Sequence, residues 1–326
     1  SFLTWPHALF YAGRAGSASV LAIYLLESAI LREPRARWLP PGFPLILLST
    51  ILFLSGGAFD LGWHALFGFE ATLEALLSPA HIWLSVSALV FTVGLLQAAL
   101  EKGKRHGRPA HAPRLADVPI VLAVGMLFRV TLWNLLYSDP LAVDYASAGT
   151  LVSRLPAYVG IPWGSMAAQI AGTTGIVTHS ILLALFLVVS CRYLRLPYGA
   201  IAAVMLWDGA LTAMISDTWL YLPAVAVGAT AGELIWAAMW RGRLGGLEGE
   251  KGYWTLAGAV PLVQFSTYFG LMHVYGGGIV WSTHLWAGAP IMGSLYGLIA
   301  GALVVPPRFV RDVLRGHSPP ASSRSG

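Results

Sequence analysis

Hydrophobic positions along the chain fall into long apolar runs separated by short polar stretches. A helix needs roughly 20 mostly apolar residues to cross a bilayer. Nine runs meet that requirement, near 4–31, 43–66, 79–100, 116–138, 168–191, 199–217, 219–240, 253–276 and 283–306. The first is interrupted by Arg14 and Glu27. A transmembrane strand barrel would show short segments of alternating polarity instead. The pattern predicts an all-α, polytopic membrane helix bundle. Residues 1–306 form one membrane domain, and 307–326 form a basic, disordered tail.

Composition supports this reading. The 326 residues are 56% hydrophobic and only 11% charged, against about 25% charged in a soluble domain. That excludes a water-soluble globular surface, a collagen and a secreted disulfide scaffold. The one cysteine, Cys191, excludes an internal disulfide and a thiolate metal cluster. The chain starts at Ser1 and carries no signal-peptide pattern at that end.

The sparse charges give an orientation. With nine crossings and the N-terminus outside, the inner segments are 32–42, 101–115, 192–198, 241–252 and the tail after 306. They hold 17 of the 20 Lys and Arg residues. Only Arg154 falls outside, while Arg14 and Arg129 lie within helices. This is the asymmetry of the positive-inside rule. It predicts a multi-pass protein of the cell's inner (plasma) membrane, with the C-terminus in the cytoplasm. The net charge of +5 is then explained by inner loops facing anionic lipid, and no nucleic-acid partner is called for.

The same layout sorts the polar residues. An ionisable side chain in a membrane segment is costly and is a functional candidate by default. Asp60 and His64, four apart near the outer end of the second helix, share one helix face. His81 lies in the first turn of the third, after the N-cap Ser78 and the first-turn Pro79. Glu70 falls in the connection between them. His7, His273 and His284 also map to the outer interface. Imidazole and carboxylate ligands suit copper, zinc or iron. Asp60, His64 and His81 are therefore candidate metal ligands, with His7, Glu70, His273 and His284 as further ligands or supporting groups. The same residues also fit a purely structural polar network. Arg129, His179, Asp208 and Glu233 fall inside predicted spans and read either as a proton relay or as buried structure. In the latter case the carboxylates pair with Arg129 or Arg14, and His179 is a hydrogen-bonded core histidine. Segment 139–167, the longest outside a helix, is expected to cap a site or meet a partner. Trp residues at the helix ends form an interfacial belt. The sequence carries no Walker A loop, dinucleotide fingerprint, haem-attachment site or HExxH motif.

One region resembles a known family. Phe59-Asp60-Leu61-Gly62-Trp63-His64, Gly68-Phe69-Glu70 and Ser78-Pro79-Ala80-His81-Ile82-Trp83 are similar to part of the C-type subunit of the copper membrane monooxygenases, the methane and ammonia enzymes. Arg195-Leu-Pro-Tyr-Gly-Ala200 is similar to a short motif of their A-type subunit. The resemblance spans about 30 residues around Asp60–Trp83. It implies copper held by Asp60, His64 and His81, an oxidoreductase role and other membrane subunits as partners. Two further functions stay open: a non-catalytic structural or cofactor-holding subunit of a respiratory or photosynthetic complex, and a proton-coupled transporter using Asp208, Glu233 and His179.

Overall fold

The structure is a computed structural model, and it describes residues 5–31, 39–68, 74–106, 115–148 and 164–307. Among these residues the architecture is helical, with one isolated antiparallel bridge between Ser147 and Ile279. The principal helices are α1 (Trp5–Ile30), α2 (Phe43–Phe67), α3 (Pro79–His106), α4 (Val118–Trp133), α5 (Met166–Val189), α6 (Ala200–Ser216), α7 (Leu222–Trp240), α8 (Glu250–Tyr275) and α9 (Thr283–Val304). Each lies on one of the apolar runs. Five segments are long and apolar enough to cross a membrane: Phe43–Phe67, Pro79–Glu101, Met166–Leu194, Trp219–Trp240 and Thr283–Val304. Helices α4 and α6 are apolar but shorter. Helices α1 and α8 are long enough but carry more polar side chains. The length and apolar composition of these helices mark the chain as a membrane protein. The expected tail lies almost wholly outside the described residues.

The described residues divide into two compact units, one up to Tyr137 and the other from Ser138 onward. In the first, α2 packs along α3, with α1 against α2 and α4 against α3. Contact between α2 and α3 is close because Gly56 has no side chain. A Cβ there would lie 2.6 Å from Cδ1 of Trp83. The Trp83 indole N–H donates to the Leu52 carbonyl (2.9 Å), which fixes the axial register of the pair. Helix α1 is tied down by Arg14. Its guanidinium donates to the Ser49 carbonyl (3.0 Å) and the Ser87 hydroxyl (2.9 Å). It also lies over the rings of Phe53 (4.9 Å) and Phe91 (4.3 Å). Aromatic faces and neutral oxygens thus hold this cation in an apolar setting. Beyond it, Leu21, Ile46 and Phe91 form a buried apolar cluster.

The second unit packs α9 against α5 and α8 through small residues four apart, Gly293, Gly297 and Gly301. Gly297 meets the Ala257 carbonyl, and the Ser294 hydroxyl donates to Gly258 O (2.9 Å). Small residues at this spacing let membrane helices approach backbone to backbone. Glu233 of α7 accepts the Ala202 N–H (3.0 Å) in the first turn of α6. A carboxylate from a neighbouring helix thus satisfies an orphan amide and complements the helix dipole. Arg195-Leu-Pro-Tyr-Gly-Ala200 forms the turn between α5 and α6. The Leu196 carbonyl accepts from the Trp236 indole (2.8 Å), and Arg195 pairs with Glu248 (2.9 Å).

A non-helical segment also belongs to the second unit. Every residue from Asp139 to Ser147 is buried. Irregular backbone shielded from water must satisfy its polar groups within the protein, and several neighbours serve. Thr218 donates to Leu141 O (2.7 Å), Trp281 to Tyr145 O (3.1 Å) and the Val280 amide to Ala146 O (2.9 Å). The Ser138 carbonyl occupies the space a side chain at Gly175 would fill. The beginning of the expected capping segment is thus an internal plug of this unit. Residues 149–163 of that segment lie outside the described residues.

Candidate metal centre

Asp60, His64 and His81 converge in the first unit. Asp60 and His64 are one turn apart on α2, and His81 opens α3 beside them. The Ser78 hydroxyl accepts the His81 amide (3.4 Å) at the start of α3, with Pro79 as its first residue. The α2–α3 register set by Trp83 places His81 opposite Asp60. Nε2 of His64 lies 3.4 Å from Oδ1 of Asp60, and Nε2 of His81 lies 3.6 Å from the same oxygen. The imidazole rings are 5.9 Å apart at 61°. One ligand atom from each residue lies within 4.8 Å of the other two.

The far side of each imidazole is already engaged. His64 Nδ1 is 3.1 Å from the Gly68 carbonyl. A carbonyl can only accept, so a proton sits on Nδ1, and in the neutral imidazole the Nε2 lone pair faces Asp60. His81 Nδ1 is 2.7 Å from the Ser78 hydroxyl. A serine hydroxyl can donate or accept, and where Nδ1 is the donor the His81 Nε2 lone pair faces the carboxylate. The Asp60 side chain is 1% exposed, against 6% for His64 and 22% for His81. Neither Asp60 oxygen has a hydrogen-bond partner among the described residues. Two imidazole nitrogens facing one buried carboxylate oxygen need either protons or a metal cation between them. Donor atoms of a tetrahedral ion with bonds of about 2.0–2.1 Å stand roughly 3.4 Å apart. The two Asp60–His separations match that spacing, so the donor set fits a metal ion. Two nitrogens and one oxygen suit copper, zinc or iron.

The other expected residues fall elsewhere. His7 lies on α1, but its side chain, like all of Glu70, is outside the described residues. His273 and His284 are exposed residues of the second unit. Among the described residues, the triad is the sole group of three or more such side chains with mutually close ligand atoms. His179 is a buried core histidine. Its Nδ1 meets Asp139 Oδ1 (3.2 Å), its Nε2 meets the Gln264 side-chain nitrogen (3.4 Å), and its ring meets Phe265 edge-on. Asp208 is buried in α6 of the second unit, and Arg129 is buried in α4 of the first. Glu233 does not need an arginine partner, because it binds the α6 amide described above.

Sequence reasoning gave Gly68 no structural role and gave Ser78 only that of a helix cap. A glycine four residues after a helical histidine, where the apolar run stops, is a C-cap signal and locates the carbonyl that orients His64. No protein family, curated protein or solved structure matches this chain.

Proposed function

We propose that the protein is an integral membrane metalloprotein whose Asp60–His64–His81 centre holds copper near the outer face. It would act as an oxidoreductase or as a subunit of one. The observation that carries this reading is the shared direction of the two Nε2 atoms, both aimed at one buried Asp60 oxygen while their Nδ1 atoms are occupied. Hydrogen-bonded far nitrogens are what metal-bound histidines generally need to fix tautomer and ring angle. The choice of copper over zinc or iron rests on the resemblance around Asp60–Trp83, as does the expectation of further membrane subunits. Bound there, copper would supply one-electron exchange. The protein's own residues would bind and orient it, and the apolar helices would limit access of water.

Nine crossings with the N-terminus outside belong to the same reading. They would put the triad at the outer side of the inner membrane and most basic residues in the cytoplasm. The relay reading is weaker, since the Glu233 carboxylate serves the α6 amide. Copper(II) added to the purified full-length chain tests the proposal. Electron paramagnetic resonance should show one site per chain with nitrogen couplings from two imidazoles. A spectrum unchanged in His64→Ala would contradict it.

A further inference from the structure

We infer that Tyr11 is a positioning residue of this centre, its phenol donating to the second oxygen of Asp60 when a metal ion is bound. The inference rests on reading the triad as a metal centre. Both imidazole Nε2 atoms face the same oxygen, Oδ1, at 3.4 and 3.6 Å. That leaves Oδ2 buried, with no hydrogen-bond partner among the described residues. A ligating carboxylate whose other oxygen lacks a donor is free to rotate between one-oxygen and two-oxygen attachment. A neighbouring O–H removes that freedom.

Tyr11 is placed to supply the donor. Its hydroxyl oxygen is shielded from solvent. It reaches α2 at Gly57, where an added Cβ would stand 3.3 Å from it. Gly57 and Asp60 are three residues apart and share a face of α2. The Tyr11 ring lies against Phe53 at 5.3 Å. The register is set from within α1. Arg14, three residues on and on the same face, is fastened to the Ser49 carbonyl and the Ser87 hydroxyl. Arg14 thus meets α2 at Ser49, and Tyr11 meets it at Phe53 and Gly57. The glycine at 57 leaves the space that the phenol occupies beside α2, one turn before Asp60.

The test compares wild type and Tyr11→Phe, both full-length, by copper(II) competition with a chelator and by electron paramagnetic resonance. Tyr11→Phe should keep one copper per chain, bind it about tenfold more weakly and show altered hyperfine couplings. Gly57→Ala crowds the phenol without changing either chemical group, and should move the spectrum in the same sense. It also serves if Tyr11→Phe does not fold. A wild type that binds copper, with both variants indistinguishable from it, would overturn this inference alone. A wild type that binds no metal would overturn the metal-centre reading and this inference with it.

Discussion

Nε2 of His64 stands 3.4 Å from Oδ1 of Asp60, while the opposite nitrogen of the same ring meets the Gly68 carbonyl at 3.1 Å. The imidazole is held between a buried anion and the end of its own helix. Gly68 can return its carbonyl to the ring because it sits at φ 83°, ψ −176°, a region open essentially to glycine alone. Nothing crowds a side chain there, so Gly68→Ala acts on the backbone only. It should lower copper affinity about tenfold while leaving one site per chain, the usual cost of losing a group that orients a metal-bound histidine. Chelator competition reads this directly. Unchanged affinity would mean that the Gly68 carbonyl does not orient His64.

Trp83 and Gly56 set how α3 lies on α2, and Trp83 is two residues from His81. Gly56→Val should force the indole off Leu52. Overpacking of this kind costs about 1–3 kcal/mol, and the melting temperature should fall. Metal affinity should fall in the same variant. Trp83→Phe removes the N–H donor and part of the ring packed at Gly56; the lost hydrogen bond alone should cost about 1 kcal/mol.

Asp144 gives the second unit a pH dependence. Burial pushes its carboxyl up from 3.8 to about 6, although Tyr221 and Ser147 hydrogen bonds oppose the shift. The folded state therefore holds this proton to a higher pH than the unfolded chain does. The resulting stability is fully present below about pH 4 and is lost as pH rises through about 6. Hydrogen exchange at the Leu141, Ala142 and Val143 amides should be better protected at pH 5 than at pH 7, after correction for intrinsic rates. Asp144→Asn should remove that difference. An equal difference in the variant would assign it to another group.

Glu233 should behave as a helix cap. Glu233→Ala leaves the Ala202 amide without its acceptor and should cost about 1–2 kcal/mol, whereas Glu233→Gln, which still accepts, should cost less. Neither change should alter copper stoichiometry. Thermal unfolding in detergent separates the two variants. Equal losses would point to the charge rather than the hydrogen bond.

The helices were legible because apolar runs report burial in lipid or protein without reference to partners. The Asp60/His64 face and the Ser78-Pro79 start of α3 were legible too, since both follow from spacing and capping within a few residues. What sets the site's geometry was not. The Trp83 contact with Gly56 joins residues 27 positions apart by number, and the Arg14 contact with Ser87 joins residues 73 apart. No local period encodes either. The Asp139–Ser147 segment read as part of a cap or partner-binding stretch because it lies outside any helical period. Its burial depends on recesses at Gly175 and donors at Thr218 and Trp281, all distant in sequence. The role of Glu233 was hidden for the same reason, since a membrane carboxylate suggests a counter-ion, while its partner here is a backbone amide.

Metal content tests the central claim most directly. Full-length protein purified in detergent, loaded with copper and freed of excess ion, should carry about one copper per chain by elemental analysis. The double variant His64→Ala/His81→Ala should carry essentially none at the same helical content. Equal copper in the two proteins would contradict the assignment of Asp60, His64 and His81 as a metal centre.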